Sequence, residues 1–159
     1  MFVDWRQGSQ DLYVNKVSAN ARLVAGQLFE LIDNLEDLDV GAVKGEEIVM
    51  IAHSFGAHVA GIFGFLYQDS NGGKRISEII ALDPTDICFW RTNPLPVYRD
   101  SLSVLSAVKV MAIHSNGDLL GSYKQFAHLD IYLQAADSQP GCFSRANFFN
   151  NPLEACEFF

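Results

Sequence analysis

Ser54 stands in the run Ala52-His53-Ser54-Phe55-Gly56, with a small residue two positions before it and a glycine two positions after. That spacing suits a serine perched on a tight strand-to-helix turn, where larger flanking side chains would strike the neighbouring strand or helix. On such a turn the hydroxyl stands clear of the backbone, and N–H groups opening the helix can hold an oxyanion. The chemistry this permits is nucleophilic attack on a carbonyl. It requires a base to take the serine proton and a carboxylate to orient that base. A plain strand-to-helix connection capped by Ser54 is the alternative. Asp83 follows the predicted strand Ile76 to Leu82, which places an acid at the edge where ligands bind in open parallel sheets.

The elements around these residues follow from hydrophobic pattern. Ile48-Val49-Met50-Ile51 is a continuous apolar run and predicts a strand buried on both faces. Ala57 to Leu66 is apolar nearly all round and predicts a deeply packed helix, with Ala57, Ala60, Gly61 and Gly64 letting it lie close to the sheet. Upstream, Phe2-Val3 reads as the end of a strand. A helix over about 12–35 presents Val17, Ala21, Val24, Leu28, Leu31, Leu35 and Leu38 as one stripe at alternating spacings of four and three. Downstream, 76–82 and 108–113 predict strands, 128–132 a short extended piece, and 84–107 and 134–159 loops. Strand–helix–strand–helix order predicts an α/β fold with a mostly parallel sheet and helices on both faces.

Composition bounds the partners. The 159 residues form a single expected domain, and apolar content of 49% with 19% charged residues fits a substantial core. A net charge of −8 argues against nucleic acid and against electrostatic attachment to an anionic membrane. No segment reaches the roughly 18 uninterrupted apolar residues of a membrane span. Met1-Phe2-Val3-Asp4-Trp5 has none of the features of a signal peptide. Of three cysteines, Cys142 and Cys156 lie in a loop-like tail and could close a short disulfide if the protein is secreted, leaving Cys88 free.

Six segments in order resemble the pancreatic-type lipase family, the animal lipases and phospholipases A1 that also include the insect yolk proteins. They are Val3-Asp4-Trp5 with Tyr13, Asn20 and Arg22; the Ala52–Gly61 turn and helix start; Ala81-Leu82-Asp83-Pro84; Ile113-His114-Ser115-Asn116-Gly117; His128-Leu129-Asp130-Ile131-Tyr132; and Gln139-Pro140-Gly141-Cys142. The resemblance implies an α/β-hydrolase fold and a Ser–Asp–His triad acting on lipid esters at a lipid surface, with no cofactor and an extracellular location. On matching positions, Ser54 is the nucleophile, Asp83 the acid and the Phe55 N–H one oxyanion donor.

The same resemblance sets expectations about what this chain lacks. The family's catalytic histidine follows a cysteine matched here by Cys156, and Glu157-Phe158-Phe159 stand in its place. The second oxyanion donor belongs to a His-Gly strand upstream of Val3-Asp4-Trp5. The expected domain is therefore a partial one, lacking N-terminal strands and the histidine segment, with negligible turnover. A non-catalytic lipid-binding or yolk-storage-like protein is the competing reading. His53 should point away from Ser54 into the core, His58 should be a core histidine, and His114 and His128 should lie near the site edge in structural roles. Ser101 to Ala107 replaces carboxylates with hydroxyls where some members hold calcium, so no metal is expected. Those serines read as solvated loop. The segment between Cys142 and Cys156, with Phe143, Phe148, Phe149 and Leu153, matches the family's lid.

Overall fold

A computed structural model describes residues 1–11, 13–38, 43–89, 99–117 and 120–136. The segment expected as a lid and the Cys142–Cys156 pairing lie outside these residues. Among the described residues, four strands, β1 (Val49–His53), β2 (Glu78–Leu82), β3 (Lys109–His114) and β4 (Leu129–Tyr132), pair in parallel in the order β1-β2-β3-β4. The α-helices among these residues are α1 (Arg6–Ser9), α2 (Val14–Asp37) and α3 (Phe55–Ser70).

Register explains where the core sits. Side chains alternate between faces along a strand, so residues paired across a parallel sheet share a face. Met50, Ile79 and Val110 form one row; Ala52, Ala81 and Ala112 form the next on that same face. The three alanines make a flat seat, and α3 packs against β1 and β2 there while α2 packs against α3. Ile51, Ile80, Met111 and Leu129 occupy the opposite face, with His53, Leu82, Ile113 and Ile131 in the row beyond. The core cluster contains none of these. Among the described residues, the long helices therefore cover one side of the sheet.

Several expectations are corrected. β1 is the edge strand of the described sheet rather than one buried on both faces, with Val49 53% and Ile51 70% exposed. A cavity of about 1020 Å³ runs along that edge, between β1 and the N-terminal residues 1–6. Phe2 and Val3 are exposed and form no strand. In α2 the buried stripe is Val17, Ala21, Ala25, Leu28 and Ile32, whereas Leu31 and Leu38 are exposed. The anticipated stripe averaged one residue in 3.5, and on a straight helix of 3.6 residues per turn that pattern drifts off the buried face. Spacings of four, four, three and four stay on it.

Gly61 and Gly64 of α3 do not serve sheet contact, whereas a Cβ on Gly56 would lie 3.9 Å from that of Ala52 on β1. A Cβ on Gly61 would fall 2.5 Å from Leu102 Cα, and one on Gly64 would overlap the Ser106 carbonyl oxygen. Both therefore admit the backbone of the 101–106 segment. That segment is no solvated loop: Leu102 and Ser106 are buried, the Ser106 hydroxyl accepts from Ser103 N–H at 3.1 Å, and the Ser103 hydroxyl accepts from Leu105 N–H at 3.2 Å. Its hydroxyls satisfy the turn's own backbone, as buried polar groups require.

Candidate active site

Ser54 occupies the single residue between β1 and α3. Its φ of 50° and ψ of −121° lie in a region that side-chain-bearing residues rarely adopt. Holding such a conformation costs on the order of 1–3 kcal/mol and requires the surroundings to enforce it. Here β1 and α3 do so, because Ser54 N–H donates to the Leu82 carbonyl at 3.0 Å and its own carbonyl accepts from Ala57 N–H at 3.1 Å. Phe55 and Gly56 open the 16-residue α3, and the first N–H groups of a helix have no intrahelical acceptor. The helix dipole adds positive potential beside the Ser54 hydroxyl.

The neighbouring strands bring the acid to the same edge. Asp83 N–H donates to the Ile113 carbonyl at 2.8 Å, one strand further along the sheet. Ser54, Asp83 and the His114-Ser115-Asn116 turn therefore succeed one another along the carboxyl ends of β1, β2 and β3. Asp83 also has a positive φ, of 40°. Among the described residues, three donors hold its carboxylate. Ser115 N–H and Asn116 N–H (3.1 Å) reach Oδ1, and the Ser115 hydroxyl reaches Oδ2. Close approach by Gly121 completes the surround: its N–H donates to the Asn116 carbonyl at 3.0 Å, and a Cβ there would lie 2.7 Å from that oxygen.

Each histidine has a defined setting. His58 is fully buried, with Nε2 on the Thr85 carbonyl and Nδ1 accepting from Leu102 N–H at 3.2 Å. That pattern fixes the neutral tautomer with the proton on Nε2. Burial pushes its pKa down to about 4. His58 also stacks on Phe89 at 3.8 Å between ring centres. It is a core histidine, tying α3 to the residues just after Asp83.

His114 is likewise buried, its Nδ1 on the Ser122 carbonyl at 2.8 Å and its Nε2 on Asp130 Oδ1 at 2.9 Å. Tyr132 stacks on it at 4.6 Å. His128 is not near the edge that carries Ser54. Its Nδ1 accepts from Val110 N–H at 3.0 Å, and Val110 precedes Ile113 by about 10 Å of strand. The imidazole expected near the site thus lies at the far end of β3. His53 belongs to the face carrying Leu82, away from α3, and lines the edge cavity instead of entering the core as expected. Burial lowers its pKa, while the Asp83 carboxylate pulls in the other direction. Cys88 is exposed and free.

Ser54, Phe55 and Asp83, the residues expected from the sequence, lie at one edge of the sheet. Ser115, the partner of Asp83, was not expected. The signal was present in the Ile113–Gly117 signature, since a hydroxyl residue and a turn after a strand end can donate to an adjacent acid.

A parallel sheet, a strained serine between strand and helix, and an acid at the end of the next strand define an α/β-hydrolase fold. Residues 1–149 match the family model described as Lipase, and the chain belongs to that family. It is 34% identical over 140 residues to Lipase member H of Xenopus tropicalis and 33% identical over 143 residues to Lipase member H of Mus musculus. It is also 33% identical over 146 residues to Inactive pancreatic lipase-related protein 1 of Homo sapiens. Each alignment covers 88% of this chain and 28% of the relative, so the chain spans under a third of the length of these proteins.

Proposed function

We propose that this domain carries the serine machinery of a carboxylic-ester hydrolase acting on lipids, by triacylglycerol lipase or phospholipase A1 chemistry, in a secreted protein. Ser54 Oγ is the nucleophile and Asp83 the acid that orients a base. The Phe55 N–H is one donor to the oxyanion formed when Ser54 attacks the ester carbonyl. The observation that carries this reading is the strained Ser54 conformation at the head of α3, one backbone hydrogen bond away from the residue preceding Asp83. Strain of this kind is retained where it aims a reacting group.

The 159-residue chain by itself turns over negligibly. Attack needs an imidazole between the Ser54 hydroxyl and the Asp83 carboxylate, taking a proton at one nitrogen and donating from the other. His58 and His114 spend both ring nitrogens within the core, and His128 lies at the other end of its strand. His53 points from the last β1 position toward the Leu82 face. A non-catalytic role is the second reading, favoured by these settings and by similarity to a relative whose name says it is inactive.

Hydrolysis of a short-chain nitrophenyl ester by this chain and by Ser54→Ala tests the reading. Equal rates are expected without added base. A Ser54-dependent rate in plain buffer would show that one of the four histidines serves as base and would overturn the inactivity of the isolated chain.

A further inference from the structure

We propose that Ser115 is the positioning residue for the Asp83 carboxylate, turning it so that one Oδ2 lone pair is kept for the base. This rests on the reading of Ser54 and Asp83 given above. A carboxylate offers about four lone-pair sites. Among the described residues, Ser115 N–H and Asn116 N–H both donate to Oδ1, which fills that oxygen, and the Ser115 hydroxyl donates to Oδ2, which leaves one site there. The carboxylate cannot rotate about its terminal bond without exchanging these donors. A base approaching Asp83 therefore meets a fixed acceptor.

The turn that carries Ser115 is itself braced. His114, the preceding residue, is locked by the Ser122 carbonyl and Asp130, and Asp130 also accepts from Phe126 N–H (3.1 Å) and Ala127 N–H (3.2 Å). Gly117 N–H donates to the Ala136 carbonyl at 2.6 Å, closing the far side of the turn. Ser115 is 5% exposed, so water does not compete freely for its hydroxyl. The two backbone donors survive any side-chain change at 115. Only the Oδ2 contact depends on the serine hydroxyl, and it lies on the oxygen that must also serve the base. Substitution there should act on base binding more than on folding.

Free imidazole provides the base for a test. It would take the Ser54 proton and donate its other N–H to Asp83 Oδ2, and Ser54-dependent ester hydrolysis should rise and saturate with imidazole concentration. Ser115→Ala should raise the half-saturating imidazole concentration about tenfold, the worth of one charge-assisted hydrogen bond. Ser115→Thr should restore it. Ser115→Cys, similar in size with a weak donor, should behave like alanine, and it takes over if alanine lowers the melting temperature enough to unfold the turn. Unchanged half-saturation in Ser115→Ala or Ser115→Cys overturns the role of Ser115 alone. Failure of Ser115→Thr to restore it overturns that role too, since packing would then be the cause. No imidazole-dependent difference between the parent chain and Ser54→Ala overturns the serine–acid reading itself.

Discussion

The Ser54 amide donates to the Leu82 carbonyl at 3.0 Å, so the candidate nucleophile is hydrogen-bonded to the residue immediately before the candidate acid. This one bond continues the β1–β2 ladder past His53, whose register partner is Leu82. It fixes the relative height of the two functional residues at the sheet edge through backbone alone. Side-chain substitutions at 54 can therefore change chemistry while leaving the edge in place.

The strain at Ser54 makes a first prediction. Glycine adopts φ values near 50° without the Cβ penalty, so Ser54→Gly should stabilise the domain by about 1 kcal/mol, and Ser54→Ala should not. For a chain of this size that is a rise of about 2–4 °C in melting temperature. Thermal unfolding followed by circular dichroism reads it. An equal or lower melting temperature for Ser54→Gly would mean that the turn is not strained.

Gly64→Ala should be severe. The added methyl would overlap the Ser106 carbonyl oxygen, a backbone atom that cannot swing aside as a side-chain tip can. Overpacking of this kind costs about 1–3 kcal/mol or more. Gly26→Ala on α2, where a Cβ meets nothing within 4 Å, should instead be neutral to stabilising. Urea denaturation of the two variants checks the contrast. Similar midpoints would show that the 101–106 segment does not pack against α3 as described.

His58 gives the domain a defined acid sensitivity. Its folded pKa of about 4 lies below the ordinary value of 6.5 because burial penalises the charged ring. Between those values the unfolded chain binds the extra proton, so stability is full above pH 6.5 and falls as pH drops toward 4. The loss at the low end is about 3 kcal/mol. His58→Gln, which can still donate to Thr85 and accept from Leu102, should flatten that part of the curve. Urea titrations at pH 7 and pH 4.5 measure the difference, and parallel losses in parent and variant would contradict it.

The legible part of this fold was the part written in period and punctuation. The β1–α3 unit shows in the apolar run, the Ser54 turn and the small residues after it, and Asp83 shows as an acid directly after an apolar run. Less could be read where tertiary packing decides. The exposed edge of β1 depends on which strands lie beside it, and an apolar run cannot say whether both faces are covered. Leu31 and Ile32 are equally apolar, so only the accumulated turn of α2 chose Ile32 for the core. The three serines of Ser101–Ser106 suggest a solvated loop, yet the hydroxyls of Ser103 and Ser106 accept from the backbone of their own turn. Ser115 could not be paired with Asp83 without the parallel register of β2 and β3, which sets residues 31 positions apart side by side and so brings Ser115, one position further on, to the Asp83 carboxylate.

Peptide mapping by mass spectrometry after exposure to an alkyl fluorophosphonate, with and without imidazole, tests the central claim most directly. The expected result is a single imidazole-dependent adduct on the peptide carrying Ser54, strongly reduced in Asp83→Asn. An adduct on another serine, or labelling of Ser54 that ignores both imidazole and Asp83, would contradict it.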